Sequence, residues 1–253
     1  MSGLAVVKQL LVLSLRRARR GRGVWLALAM LALAVASALV ATATDYGGIT
    51  FFKQTLALFV RFLTPFIMAL LASHAVAEEV QAKTITYLFS RPIPRWSLPV
   101  GKYLGSVCVA APLLCLSLVL IYLIGLASYP GEIAAELPVL LQGLVATCLG
   151  AVLFGAVATA FGTMITGHPF VVNLIFLLIS EVGISQVPGW TKLVSMTVHL
   201  QAVAGIYDAK TTMTISDPEL SAAVSTFVVL AVSVVWLGLA VGWVGSSEYK
   251  TES

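Results

Sequence analysis

The chain has 253 residues, 59% of them hydrophobic and 10% charged, with a formal net charge of +4. A soluble domain carries about 25% charged residues, so the surface such a domain shows to water is missing here. The small positive balance reads as membrane topology, and no nucleic-acid partner is expected.

Six apolar runs approach the roughly 20 residues that a bilayer crossing needs. They cover about 24–44, 55–77, 104–128, 137–163, 169–187 and 220–244. The remainder is too short for a separate soluble domain of about 100 residues. The expectation is therefore an all-α integral membrane protein, residues 1–253 forming one transmembrane domain. Helices are favoured because backbone groups facing lipid must be satisfied within each segment.

Before the first run, Leu4, Val7, Leu11 and Leu15 recur at helical spacing, with Lys8 off that stripe. Residues 3–20 are expected to form an interfacial helix on the lipid head groups, ending in the basic run RRARRGRG. The plainer alternative is a positively charged anchor. Ala41-Thr42-Ala43 resembles a signal cleavage site, but the apolar run before it has 21 residues, against about 7–15 in a signal peptide. The first run is therefore read as a retained span. With six spans and both termini inside, eleven Lys and Arg residues fall on the inner side and four on the outer. Such an excess marks the cytoplasm. The expected location is the plasma (inner) membrane of a prokaryote.

Between the second and third runs lies AEEVQAKTITYLFSRPIPRWSLPVGK, residues 77–102. Each charge there would cost about 2.5–3.5 kcal/mol at the bilayer centre, so the stretch is a cytoplasmic connection. No Gly or Pro interrupts Glu78 to Ser90. Glu79 precedes Lys83 by four residues, the favourable order for a helical pair. A short amphipathic helix over 78–90 is expected. Pro92 and Pro94 then stop it, since neither has an amide to donate and each extends the residue before it. A rigid element beneath a bundle suits docking to a cytoplasmic partner; a loop that only obeys the charge rule is the alternative.

This stretch resembles the permease subunits of type-2 ABC transporters. Glu78-Glu79, Thr84, YLFSRPIPR and Gly101-Lys102 follow the order of that family's motif. Lys83 departs from it, since a Gly commonly precedes the threonine. The resemblance implies that 78–90 is a coupling helix seated on a separate cytoplasmic ABC ATPase. Glu78, Glu79, Lys83, Thr84, Arg91, Pro92 and Arg95 would then lie at or near the interface. It also implies a second permease copy or a homologue. The chain's single Gly-Lys pair is followed by Tyr103, so it lacks the GxxxxGK[ST] loop that holds phosphates. ATP and Mg are expected on the partner, with no cofactor or enzymatic activity in this chain.

Within the later runs, Thr147, Ala151, Gly155, Thr159 and Thr163 recur every four residues, and Gly238 and Gly242 form a GxxxG. Both patterns read as close helix packing. Pro65 and Pro112 are expected to kink their helices. Ionisable groups in spans default to a functional reading. Arg61 is expected to snorkel outward, and His74 to meet interfacial water. Glu181 lies about 18 Å along the fifth run from Pro169, at 1.5 Å per residue. With Asn173 it forms a candidate translocation path; alternatively it sits where the helix already breaks before Gly183. Cys108, Cys115 and Cys148 fall inside spans and read as small hydrophobes. His74, His168 and His199 are in separate segments, and no metal or catalytic spacing appears. Residues 193–206 are apolar but too short to span, and either lie at the interface or re-enter.

The functional expectation is the transmembrane subunit of an ATP-binding cassette exporter that forms the translocation path as a dimer. A secondary transporter is an alternative, though no internal repeat appears. A membrane component of a maturation or assembly system is another.

Overall fold

The computed structural model describes residues 3–18, 21–44, 46–81, 94–165, 167–186, 190–206 and 220–246. For residues 3–5, 15–18, 22, 74–81, 182, 186 and 190–191 it describes the backbone alone. The described residues are helical throughout, without strands. In chain order the helices are α1 (Gly3–Ala18), α2 (Arg22–Ala43), α3 (Ile49–Leu58), α4 (Thr64–Gln81) and α5 (Ser97–Gly125). They continue with α6 (Pro130–Ala135), α7 (Leu137–Met164), α8 (Pro169–Leu177), α9 (Met196–Val203) and α10 (Ala222–Ser246).

Among the described residues, five helical stretches are long and apolar enough to cross a membrane: Gly23–Ala43, Ile49–Ser73, Ser97–Gly125, Leu137–Met164 and Ala222–Ser246. The fifth of the six expected runs is a shorter apolar helix, Pro169–Glu181. Its α-helical part is followed by a π turn over Leu178–Gly183 and a 3₁₀ turn over Ile184–Gln186. Pro169 opens this helix, a position where its missing amide costs no hydrogen bond. The second span begins earlier than its apolar run, at Ile49, because Gly48 adopts φ +96° and turns the chain into α3. The Gly48 amide donates to Gly125 O at 2.8 Å and ties this turn to the end of α5.

α3 and α4 are one helix interrupted by a π turn at Phe59–Leu63. Pro65 explains the interruption. It cannot donate to the carbonyl four residues back, that of Arg61, and its ring crowds that carbonyl. Beyond the π turn, α4 runs unbroken to Gln81. Glu78 and Glu79, expected to open a separate helix over 78–90, instead extend the second span's helix. Residues 82–93 lie outside the described residues.

α7 is the central helix: 67% of its most apolar window is buried, against 22% in the first and last spans. Its four-residue ladder explains why. Thr147, Ala151, Gly155, Thr159 and Thr163 are all buried. A Cβ on Gly155 would meet Met68 Cε at 2.8 Å, and one on Gly162 would run into the Ser73 backbone oxygen. The expected close packing of this ladder is present at Gly155, where Met68 of α4 and Val107 and Tyr103 of α5 crowd in. Gly238 and Gly242 behave differently, with nothing within 4 Å of a Cβ at either position. Their GxxxG packs against no described part of this chain.

Aromatic side chains lock the helices around α7. Phe161 of α7, Phe176 of α8 and Trp236 of α10 form a cluster with centroid distances of 5.1, 5.8 and 5.7 Å. Tyr103 of α5 donates to Val152 O of α7 at 3.1 Å. At one end of the bundle, α1 packs on the start of α5. Leu10 and Ser14 sit where a Cβ on Gly101 or Gly105 would come within 2.8 and 2.5 Å. Gly101 and Gly105 thus admit α1 at close range, and Val6, Val7 and Leu10 are buried there. The stripe read from the sequence as lipid-facing in part faces protein, while Val12 and Leu13 remain exposed.

Candidate functional site

A cleft of about 590 Å³ opens between α2, the α3–α4 helix and α8. Its walls are mostly apolar, with Met30, Leu33 and Ala34 from α2, Leu58, Phe62 and Phe66 from the second span, and Leu174 and Leu178 from the fifth segment. Leu33 is 74% exposed, Leu58 59% and Leu178 50%, so the cleft is open along its side. Two ionisable residues line it, Arg61 and Glu181. Each lies in a π turn, one at Phe59–Leu63 and the other at Leu178–Gly183. π turns inside α-helices occur often at functional sites, and here both face one cavity.

Arg61 is the thirteenth residue of a 25-residue span, about 18 Å from its start at 1.5 Å per residue. Its Nη2 donates to Ser185 Oγ at 2.7 Å, and its guanidinium lies 5.6 Å from the Phe62 ring centroid. The expected snorkelling therefore ends on the turn that follows α8.

Glu181 is 4% exposed. Its Oε2 accepts from Ser195 Oγ and from the Thr197 amide, both at 2.8 Å, and Oε1 accepts from Ser180 Oγ at 3.4 Å. Ser195 is the residue preceding α9, so Glu181 caps that helix from another segment. The pairing is electrostatically apt, because the first amides of a helix lack internal partners and carry the positive end of its dipole. A Ser-x-Thr before an apolar run is the sequence signal that marks this helix start; the capping carboxylate, distant in sequence, leaves no such signal.

Within residues 193–206, α9 packs against the other helices. Thr197, Val198, His199, Leu200, Ala202 and Val203 are buried. Leu200 reaches Gly150, halfway along α7, and Gly205, at φ +68°, sits against Gln142 near that helix's start. The segment enters the bundle and climbs back out. His199 fastens it to the last span. Its Nε2 donates to Leu193 O at 3.0 Å, since a carbonyl only accepts, and its Nδ1 pairs with Ser225 Oγ of α10 at 3.3 Å.

Asn173 and Glu181 do not share the cleft. Asn173 is fully buried, and its Nδ2 donates to Ser73 Oγ at 3.1 Å, joining α8 to α4. Glu181 lines the cavity. Sequence reasoning passed over Ser73, Ser185, Ser195 and Thr197, the hydroxyls that hold these groups.

Of the residues expected at a coupling interface, Glu78 and Glu79 lie in the last turns of α4. Lys83, Thr84, Arg91 and Pro92 lie outside the described residues. Arg95 Nη1 donates to Gly245 O at 3.2 Å, on the last turn of α10. Cys115 and Cys148 are neighbours, their sulfurs 3.4 Å apart across α5 and α7. Among the described residues, no group of three or more His, Cys, Asp or Glu could hold a metal ion.

A family model described as ABC-2 family transporter protein matches residues 15–183, from the end of α1 through the π turn that carries Glu181. No curated protein matches the chain.

Proposed function

The chain belongs to the ABC-2 transporter family, and on that footing we propose that it is the membrane subunit of an exporter driven by a separate cytoplasmic ATPase. The observation that carries this reading is the cleft: an open, mostly apolar cavity with two buried-span charges on its walls. The fifth segment acts as a sixth crossing. From Pro169 to Gln186 it comprises 18 residues, about 27 Å at helical rise, against a hydrocarbon core of about 30 Å. The α1 end of the bundle faces the cytoplasm, and both termini lie there. The cleft then belongs to the outer half, as release to the outside requires. A second copy or a similar subunit closes its open side.

The second span supplies the coupling. Pro65 and Phe66 of α4 line the cleft, and the same unbroken helix carries Glu78 and Glu79 at its far end. A push delivered after Gln81 moves the cleft wall as a rigid rod. The π turn at Phe59–Leu63 is the natural hinge, since its hydrogen bonding is already interrupted by Pro65. Glu78, Glu79, Lys83, Thr84, Arg91 and Pro92 form the ATPase-facing segment. Arg95 ties the exit of that segment to the C-terminal carbonyls of α10, where a cation is favourable. ATP and Mg belong to the ATPase.

Co-purification with an ABC ATPase, sought first in the neighbouring reading frames, tests the reading. Glu79→Lys is expected to release the ATPase and to abolish its membrane-dependent turnover, with the permease still folded by gel filtration. Unchanged association and turnover in that variant retire the coupling assignment, and proton-driven flux without ATPase retires the transporter class.

A further inference from the structure

We propose that the cleft takes an apolar organic anion, with Arg61 reading its anionic group; this rests on the reading of the cleft as the cargo site. The size fits a single small molecule: about 590 Å³ lies within the roughly 300–1,000 Å³ typical of ligand pockets. The walls are leucine, phenylalanine, methionine and alanine side chains, which select an aliphatic or aromatic body. The charge comes from Arg61. A cation within a span is costly, about 2.5–3.5 kcal/mol on insertion scales, and it marks a pathway more often than a packing need. Its planar fork of N–H donors matches a carboxylate or phosphate. Phe62 and Ser185 hold the guanidinium at the cleft wall, so the group is oriented before a ligand arrives.

Glu181 does not cancel this preference. Its carboxylate is 4% exposed and accepts from Ser195, Thr197 and Ser180. Two of these donors, Ser195 and the Thr197 amide, belong to the amino end of α9, so the carboxylate is already engaged by the protein where it lines the cavity. Arg61, in contrast, is only half-buried. Against the apolar walls of the cleft, where the effective dielectric is lower than in water, an anion beside Arg61 gains more than it would in water. An organic cation would instead have to displace the donors around Glu181.

The test uses the purified full-length chain in nanodiscs without nucleotide. Three photoreactive probes are compared: a diazirine-bearing dodecanoic acid, its methyl ester and the corresponding amine. Labelled residues are read by mass spectrometry. Label on Phe227 and Val234, which are 73% and 72% exposed on α10, measures partitioning into the surrounding lipid. After that correction, the acid is expected to label Leu58, Phe62 or Leu178 about tenfold more than the ester, the gain of one charge-assisted contact. Arg61→Gln is expected to remove the preference of acid over ester, and Arg61→Lys to keep part of it. Ser37→Trp, which fills the cleft from α2, lowers labelling by the acid and the ester alike. Equal labelling by acid and ester, stronger labelling by the amine, or a preference that survives Arg61→Gln overturns the proposal. The three-probe comparison on the unaltered chain decides the sign of the charge even where Arg61→Gln fails to fold. No ATPase enters the assay, so an intact acid preference without ATP-driven flux counts against the transport reading alone.

Discussion

The Thr197 amide donates to Glu181 Oε2 at 2.8 Å, so a carboxylate on the fifth segment caps a helix that re-enters from the next connection. Removing it leaves the amide of Thr197 without its acceptor in a buried site, while the Ser195 hydroxyl keeps Thr197 Oγ1 at 2.9 Å. The orphaned amide costs about 1–3 kcal/mol. Glu181→Ala is expected to lower thermal stability in detergent clearly more than Glu181→Gln, which keeps an oxygen in place. It also loosens α9. A cysteine placed at Val198, 4% exposed, in a chain whose native cysteines are replaced, should react with maleimide several-fold faster in the Ala variant. Equal reactivity would show that the cap does not hold the re-entrant helix.

Glycines in α7 and α10 should respond oppositely to one methyl group. A Cβ at Gly162 runs into the Ser73 backbone oxygen, and backbone cannot swing aside as a side chain can. Gly162→Ala should cost about 1–3 kcal/mol through forced helix separation. Gly238→Ala meets nothing within 4 Å and should leave the stability of the single chain unchanged or slightly raised. Thermal unfolding of the two variants side by side checks the contrast.

Cys115 and Cys148, with sulfurs 3.4 Å apart, should join on mild oxidation, since only a small movement separates them from a bond of about 2.05 Å. Copper–phenanthroline treatment should remove two of the three thiols from titration in the denatured chain and leave Cys108. Dithiothreitol should restore both. Retention of three titratable thiols would mean that α5 and α7 do not meet as described.

Arg95 contacts the last turn of α10 through Gly245 O. An exposed cation at a helix C-terminus contributes about 0.3–1 kcal/mol, so Arg95→Ala should speed amide exchange at the end of α10 by roughly two- to fivefold. Arg95→Lys should restore most of the protection. If Arg95→Ala also releases the ATPase while Arg95→Lys does not, the residue links the coupling segment to the last span. Exchange that does not change would leave Arg95 as a contact for the partner alone.

Much of this molecule could be read from one dimension. Apolar runs located the spans because transfer into lipid depends on composition summed along a helix. The four-residue ladder from Thr147 to Thr163 announced a buried face because small side chains at that spacing can only bring helices close. Pro65 foretold an interruption, since a missing amide is a local fact. The Glu-Glu to Gly-Lys order over 78–102 pointed to the transporter family that the match over residues 15–183 shows.

Other features were decided only when the helices met. Asn173 and Glu181 lie near each other along one segment, yet one is bonded into the α4 contact and the other faces the cleft, because a π turn between them changes which way the following side chains point. Gly101 was legible only as part of the family motif and Gly105 not at all, yet together they seat α1. The cleft owes its existence to three helices far apart in sequence, and Glu181 finds its partners on residues 195 and 197 only after the chain doubles back. Hydropathy and spacing act through neighbours along the chain, so composition alone was enough to locate the five described helices that are long and apolar enough to cross a membrane. Which of them meet there depends on how packed surfaces interlock, and that is settled by the folded whole.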